Sequence, residues 1–497
     1  MTDRVPTPGK EGRVKLTFDD ESVQYAKIEM ADEPTQKGTP LNKATLLSDE
    51  TAALYEFGAE EEPTVDAALR QLPYRVGDTL TTARTNLGNN WRLCNGAELT
   101  RSSYPDLSDL MPADISRTSW KNGSAPPLTS LIKMVYANGY WVALGNYLNG
   151  STYYARLCYK TSITGSWTAK DLWSGERENN AHNVLNDLIY RNGYFIVIGQ
   201  YSYKASGSQG YTNEARLAYS TTINGTYKFK TIWSTANYGY YSQDPVSITY
   251  GNGYYVVCGN RGNYGQSYVE PVVAYSTSLS GTWTVKAIVS VTANQYSCNA
   301  LFVTYTNEYF VVCGESPSSD SGATHGAAIY YAKSPSSTWT KKELYTGKNP
   351  SQIDCIVYAS GYWVASGVTS SGDVVIYYGS NITGALTKRV IESSMETDNL
   401  RSYIIYDGKD FVVLAANKYE LSIWYRTTPT GAFTRKPVLS NSSSNNAFAQ
   451  CIVFANNLYV VDGAATSAGF MYADITKINL PSISLSDDVY TYMKVLE

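Results

Sequence analysis

The residues of this chain best suited to chemistry are tyrosines. Tyr147, Tyr153, Tyr201, Tyr203, Tyr211, Tyr238, Tyr240, Tyr241, Tyr264 and Tyr268 crowd into polar stretches rich in Asn, Ser and Gly. A phenol ring offers an apolar face to the CH face of a sugar ring, and its hydroxyl stays wet. Neighbouring amides and hydroxyls can partner the sugar's own hydroxyls, as adaptable binding loops do. These ten residues are the candidate binding set. The competing reading is that half of them pack within their own loops.

Catalytic chemistry is harder to place. The chain has 44 tyrosines but only two histidines, His182 and His325, and they fall in separate loops. That removes most acid–base, triad and metal schemes. A sialidase-like site would need clustered arginines for a carboxylate, a Tyr–Glu pair and an acid. Arg156, Arg216 and Glu214 fall near blade rims, but linear sequence shows no convergence. Asp320 and Asp373 lie in Ser/Gly-rich stretches without calcium-loop spacing. No phosphate loop or dinucleotide fingerprint is present. The expectation is a non-enzymatic chain with no catalytic residues, no metal and no cofactor.

Bulk composition narrows the partners. Charged residues are 17% of the chain, hydrophobic residues 43%, and the formal net charge is −4. A folded core is expected, and a nucleic-acid partner is not. No apolar run approaches the about 20 residues that span a bilayer, so no membrane insertion is expected. Met1–Lys10 does not read as a signal peptide, which points to synthesis in a cytoplasm. The seven cysteines stand singly in apolar runs and read as small buried hydrophobes.

The elements that position the tyrosines repeat along the chain. An aromatic opens an apolar stretch at Trp141, Phe195, Tyr255, Phe310, Trp363, Phe411 and Tyr459. Four residues later stand Gly145, Gly199, Gly259, Gly314, Gly367, Ala415 and Gly463. A second landmark is a polar turn closed by Trp167, Tyr227, Trp283, Trp339, Leu386 and Phe433. Each unit reads as two hairpins, the first with a tight turn such as Asn252-Gly253. Four strands in a repeat of roughly fifty residues mark a propeller blade. The fold class is mainly β, with a seven-bladed β-propeller over 113–476.

The seventh unit lacks its fourth strand. Ile115–Trp120, just before the first blade, is expected to supply it and to shut the ring. With strands a to d running from the axis outward, the chain then enters and leaves on the a–b/c–d face. The opposite face carries the long b–c and d–a segments, where function is expected.

The flanks differ. Ala44–Phe57 reads as an amphipathic helix and Thr64–Leu72 as a second. The stretches GRVKLTFDD, GTPLNKATLLSDETAALYEF and TVDAALRQL resemble the attachment region of tail-fibre, receptor-binding proteins from phages and prophages of Gram-positive bacteria. WRLCNGAELTRSSYPDL resembles the opening of the phage tail-collar module, and LPSISLSDDVYTYMKV is similar to the ending of the same fibres. The resemblance implies a propeller inserted in a small collar-like module, with a short α/β attachment region. The implied layout is attachment over 1–73, collar over 74–112 and 477–497, and propeller between them. It further implies a homotrimer on a virion tail or tail-like particle, docked to a baseplate or fibre protein through 1–73. The long-loop face would bind a host cell-wall glycan. The alternative is a propeller hydrolase or lyase that degrades such a glycan.

Overall fold

The structure is a computed structural model. It describes residues 119–480 except for 177–182, 205–210, 236–242, 263–268, 291–297, 318–325, 346–351, 396–399, 417–419, 441–450 and 465–468. Outside that span it describes short pieces, chiefly 13–17, 23–27, 79–82, 90–95, 97–104 and 490–495. The two helices expected in 44–72 lie outside the described residues.

Seven four-stranded antiparallel sheets follow one another. Blade one comprises Ser130–Ala137, Tyr140–Asn149, Thr152–Lys160 and Thr168–Glu176. Blade two comprises Val184–Arg191, Tyr194–Lys204, Tyr211–Ser220 and Lys228–Thr235. Blades three to six begin at Gln243, Ala300, Gln352 and Arg401 and keep the same order. The first strand of each sheet lies against the first strand of the next, and that of blade seven lies against that of blade one. The first strands therefore form a closed inner ring of seven.

Blade seven is completed from the far end of the chain. Its strands Ile452–Ala455, Leu458–Ala464 and Gly469–Asp474 are joined by Trp120–Asn122. Trp120 pairs with Ala473, Lys121 with Tyr472 and Asn122 with Met471. The closing strand is thus a few residues later than Ile115–Trp120. Ile115 instead sinks, 1% exposed, into the core shared by the strands of blades six and seven. Chain entry and exit sit side by side, as the topology required.

The landmark glycines have a specific cause. In blades one to five the inner strand carries a β-bulge opposite the glycine, between Leu131 and Lys133, Leu185 and Asp187, Pro245 and Ser247, Ala300 and Phe302, and Ile353 and Cys355. The bulge swings a carbonyl across the second strand. A Cβ on Gly145, Gly199, Gly259, Gly314 or Gly367 would fall 1.9–2.2 Å from that oxygen. Blade six carries Ala415 at this position, and its inner strand pairs without a bulge. The same hairpins open on Asn-Gly turns at Asn138-Gly139, Asn192-Gly193 and Asn252-Gly253, with φ of 44–50° on Asn and 80–85° on Gly. Each landmark aromatic packs on an inner-strand ring: Tyr136, Tyr190, Tyr250, Tyr305, Tyr358, Tyr406 and Phe454, at 4.6–5.0 Å between centroids. Such pairs contribute about 0.5–1.5 kcal/mol each beyond burial.

Blades are also latched at the rim. In blades one, three, four and five a basic residue three positions past the Trp or Leu that closes the turn donates to carbonyls of the next blade's turn. Lys170 reaches Asn224 at 3.2 Å, Lys286 reaches Ser337 at 2.8 Å, Lys342 reaches Ile382 and Gly384, and Arg389 reaches Thr430 at 2.6 Å. Lys436 reaches the Ile115 carbonyl at 2.7 Å. All seven cysteines are buried and unpaired, as expected from their apolar settings.

The chain divides into two compact units, Met1–Leu93 with Ser484–Glu497, and Cys94–Ile483. In the first, Thr79–Thr82, Tyr490–Lys494 and Trp91–Leu93 form one sheet, and Arg13–Thr17 pairs with Val23–Lys27. In the second, Glu98–Thr100 pairs with Lys477–Asn479 beside the blades. The two ends of the chain therefore pair with each other in both units.

The bulge–glycine relation predicts an asymmetry. Gly199→Ala should cost about 1–3 kcal/mol through overpacking, whereas Ala415→Gly should cost no more than about 1 kcal/mol. Chemical denaturation of the two variants checks this, and equal small effects would contradict it.

Candidate functional site

Four of the ten candidate tyrosines have described side chains, and all lie on blades one and two. Tyr147 sits on the second strand of blade one, two residues past its glycine. The Arg156 guanidinium lies 3.7 Å from its ring centroid. Arg156 donates from Nε and Nη2 to the two carboxylate oxygens of Asp171, at 2.6 and 3.0 Å, and from Nη1 to the Pro127 carbonyl at 3.2 Å. Tyr154 packs beside Tyr147, with ring centroids 6.3 Å apart.

Blade two repeats the ring and the guanidinium in the same register, with its carboxylate on the third strand instead of the fourth. Tyr201 is again two residues past the glycine, and Arg216 lies 3.5 Å over its ring. Arg216 donates to Glu214 at 2.8 Å, and Glu214 also accepts from the Thr231 hydroxyl at 2.9 Å. Tyr203 stacks on Tyr201 at 5.2 Å and 23°. Phe229, 49% exposed, flanks the cluster and meets Trp173 edge-on at 6.2 Å. Trp173 is buried and donates to the Gln200 carbonyl at 3.0 Å. Blade three carries Arg261 at the tyrosine position, joined to Glu270 at 2.6 Å. Blades one and two thus carry a ledge in two separate parts, in which Tyr147 and Tyr201 are each half-buried under a guanidinium whose charge a carboxylate offsets. Cation–π contact of this kind contributes about 0.5–2 kcal/mol and fixes the ring plane. A fixed plane beside oriented donors and acceptors suits a polyhydroxylated ring.

The sequence placed these tyrosines in irregular loops, and the structure corrects that. Strands Tyr140–Asn149 and Thr152–Lys160 run on to a tight turn, so Tyr147 and Tyr153 are strand residues. Tyr201 and Tyr203 extend the second strand of blade two, and Tyr211 opens its third, paired with Lys204. Tyr238, Tyr240, Tyr241, Tyr264 and Tyr268 lie outside the described residues, as do His182, His325 and Asp320. Arg156 and Arg216 do not converge. Each is bound to the carboxylate of its own blade.

Sequence reasoning missed the inner strands. Lys133, Asp187 and Asp354 each interrupt an apolar strand, and that was the signal available. Asp187 is 3% exposed and accepts from Lys133 Nζ at 2.7 Å, the Ser247 hydroxyl at 3.0 Å and the Ile248 amide at 3.1 Å. It thereby joins blades one, two and three. Burial alone would lower the Lys133 amine, but the adjacent Asp187 carboxylate more than offsets this and holds it above the usual range. Asp354 of blade five accepts from the Ser402 amide at 3.0 Å, from Arg401 at 3.4 Å and from Gln352. Burial pushes its carboxyl up to about 6 in spite of Arg401. Asp244, at the start of the inner strand of blade three, is raised to about 6 by burial as well. Cys451 of blade seven takes the Met134 amide of blade one at 3.3 Å. Among the described residues no three His, Cys, Asp or Glu side chains are grouped to hold a metal.

No protein-family model matches the chain. No curated protein matches it. Solved structures do. The Trypanosoma rangeli sialidase aligns at TM-score 0.37 and 11% identity over 60% of this chain and 56% of its own. YCF48 bound to D1 peptide aligns at 0.44 and 10%, over 71% and 96%. The GH93 α-L-arabinofuranosidase of Fusarium graminearum, in complex with arabinobiose, aligns at 0.40 and 14%, over 73% and 98%. The chain spans just over half the length of the sialidase. Two of these three are glycosidases, which corrects the expectation that the chain is not an enzyme. A missing catalytic pattern in the linear sequence is no ground for exclusion, because propeller sites are assembled from several blades. At these TM-scores the likeness does not say what this chain binds or cuts.

The raised Asp354 carboxyl has a pH signature. A carboxyl whose folded value lies above its unfolded value binds more protons in the folded state, so its contribution to stability falls as pH rises from about 4 to about 6. The melting temperature of the wild type, measured against that of Asp354→Asn, should therefore drop across this window. A difference independent of pH would show that the carboxyl titrates normally.

Proposed function

We propose that this propeller engages a carbohydrate polymer through the tyrosine–arginine–carboxylate ledge of blades one and two. The observation that carries this reading is the repetition of a ring under a guanidinium at the same register on adjacent blades, each guanidinium paired with a carboxylate of its own blade. Packing alone does not require it, since blades four to six fill the corresponding strands with Ser, Val and Ala. The flanking segments supply the context. Their resemblance to tail fibres supports a phage or phage-derived particle, with 1–73 docked to a baseplate or fibre protein. The polymer would then be a host cell-wall glycan. A homotrimer would present three ledges at once, and the effective concentration of linked sites raises avidity without new contacts.

A second reading is that the bound glycan is also cut. Asp244 favours it: it stands at the start of an inner strand, and burial pushes its carboxyl up to about 6, the range a glycosidase acid needs near neutral pH. Release of new reducing ends from wall glycan by the full-length chain, abolished in Asp244→Asn, would establish cleavage.

For recognition itself, full-length protein on a glycan array should retain a defined set of polymers. Tyr201→Ala should weaken that retention about tenfold, equivalent to about 1.4 kcal/mol. Unchanged retention by a folded Tyr201→Ala protein would remove the ledge from the account.

A further inference from the structure

We infer that the glycan taken by this ledge is built of uncharged sugars, and that sugars bearing carboxylates are disfavoured. The inference rests on the proposed glycan recognition and concerns only its chemical class. Three guanidiniums mark the upper halves of blades one to three, and each is ion-paired within its own blade. Arg156 bonds both carboxylate oxygens of Asp171, while Arg216 meets Glu214 and Arg261 meets Glu270 through one oxygen each, at closest distances of 2.6, 2.8 and 2.6 Å. The three pairs sum to no net charge.

Exposure sharpens the point. In blade one the side chain of Asp171 is 36% exposed and that of Arg156 only 14%. There an incoming anion meets the carboxylate first; in blades two and three the guanidinium is the more exposed partner, 19% against 12% and 30% against 14%, and the exclusion rests on the ion pairing alone. The Arg156 plane is further occupied by the Tyr147 ring, and one of its remaining N–H groups by the Pro127 carbonyl. Glu214 already accepts from Thr231 as well as Arg216, which holds it in place as a fixed negative group. Recognition of a sugar carboxylate needs guanidiniums free to make paired, charge-assisted hydrogen bonds. A neutral ring needs none of this. It stacks on Tyr147 or on the Tyr201–Tyr203 pair, and its hydroxyls can both donate to the carboxylates and accept from the guanidinium N–H groups. Each ion pair is then an asset, since it offers a donor and an acceptor side by side.

The test uses the full-length chain on an array that displays neutral polymers beside sialylated and uronic-acid polymers, read at about 50 mM and about 500 mM salt. The expected result is retention of neutral polymers with less than a twofold change between the two salts. Preference for the carboxylated polymers, with retention that falls steeply at high salt, would overturn the inference while leaving glycan recognition intact. Retention of no polymer at all would overturn the recognition reading and this inference with it. The double variant Asp171→Asn, Glu214→Gln exposes two guanidiniums without removing the rings. It should gain at least tenfold in retention of carboxylated polymers. No gain, in a variant whose melting temperature matches the wild type, would count against charge offset as the basis of selectivity.

Discussion

The pairing of Trp120–Asn122 with Met471–Ala473 is the contact on which the ring depends. Without it blade seven ends in an open edge, and the inner ring closes without a shared sheet. With it, two stretches some 350 residues apart in sequence are joined by backbone hydrogen bonds. The loop-closure cost is spread over six intervening interfaces, each with its own links. Near the axis these run from Lys133 to Asp187, from Asp187 to Ser247 and from Cys451 to Met134. At the rim they are the lysine and arginine latches. The closing strand itself reaches onward to blade one, where Trp167 donates to the Ser124 carbonyl at 2.6 Å.

A ring closed in this way gives rigid upper strands. The ledge on blades one and two consists of such strands, extended past the length needed for the core. Its rings are therefore presented on fixed backbone instead of on mobile connections. A rigid aromatic surface loses little conformational entropy when a ligand binds.

The blade count and the closure were legible in the sequence because the causes are local and repeated. An aromatic four residues before a glycine records two contacts within one hairpin, the ring pair and the bulge carbonyl. Even the exception at Ala415 was visible, although its reason, an inner strand without a bulge, was not. The rim latches left a trace too, a basic residue three past each turn aromatic. Their meaning needed the neighbouring turn, some forty to fifty residues away. The tyrosines were found by composition but given the wrong setting. Alternation in NYLNGSTYYAR carries the strands through what reads as a loop. The arginine–carboxylate pairing was hidden for a simpler reason. Arg156 and Asp171 stand on different strands, and only the register brings them together. The half-buried Lys133 and the buried Asp187 and Asp354 were passed over because a charge inside an apolar run looks like a blemish until its partner on the next blade is seen.

The central claim is that the ligand lies on the ledge of blades one and two. A crystal structure of the full-length chain with the oligosaccharide it retains best would test it most directly. The account predicts sugar rings stacked on Tyr147 and on the Tyr201–Tyr203 pair, with hydroxyls on Asp171 and Glu214. Sugar bound instead against Asp354 and Arg401, with the ledge empty, would contradict it.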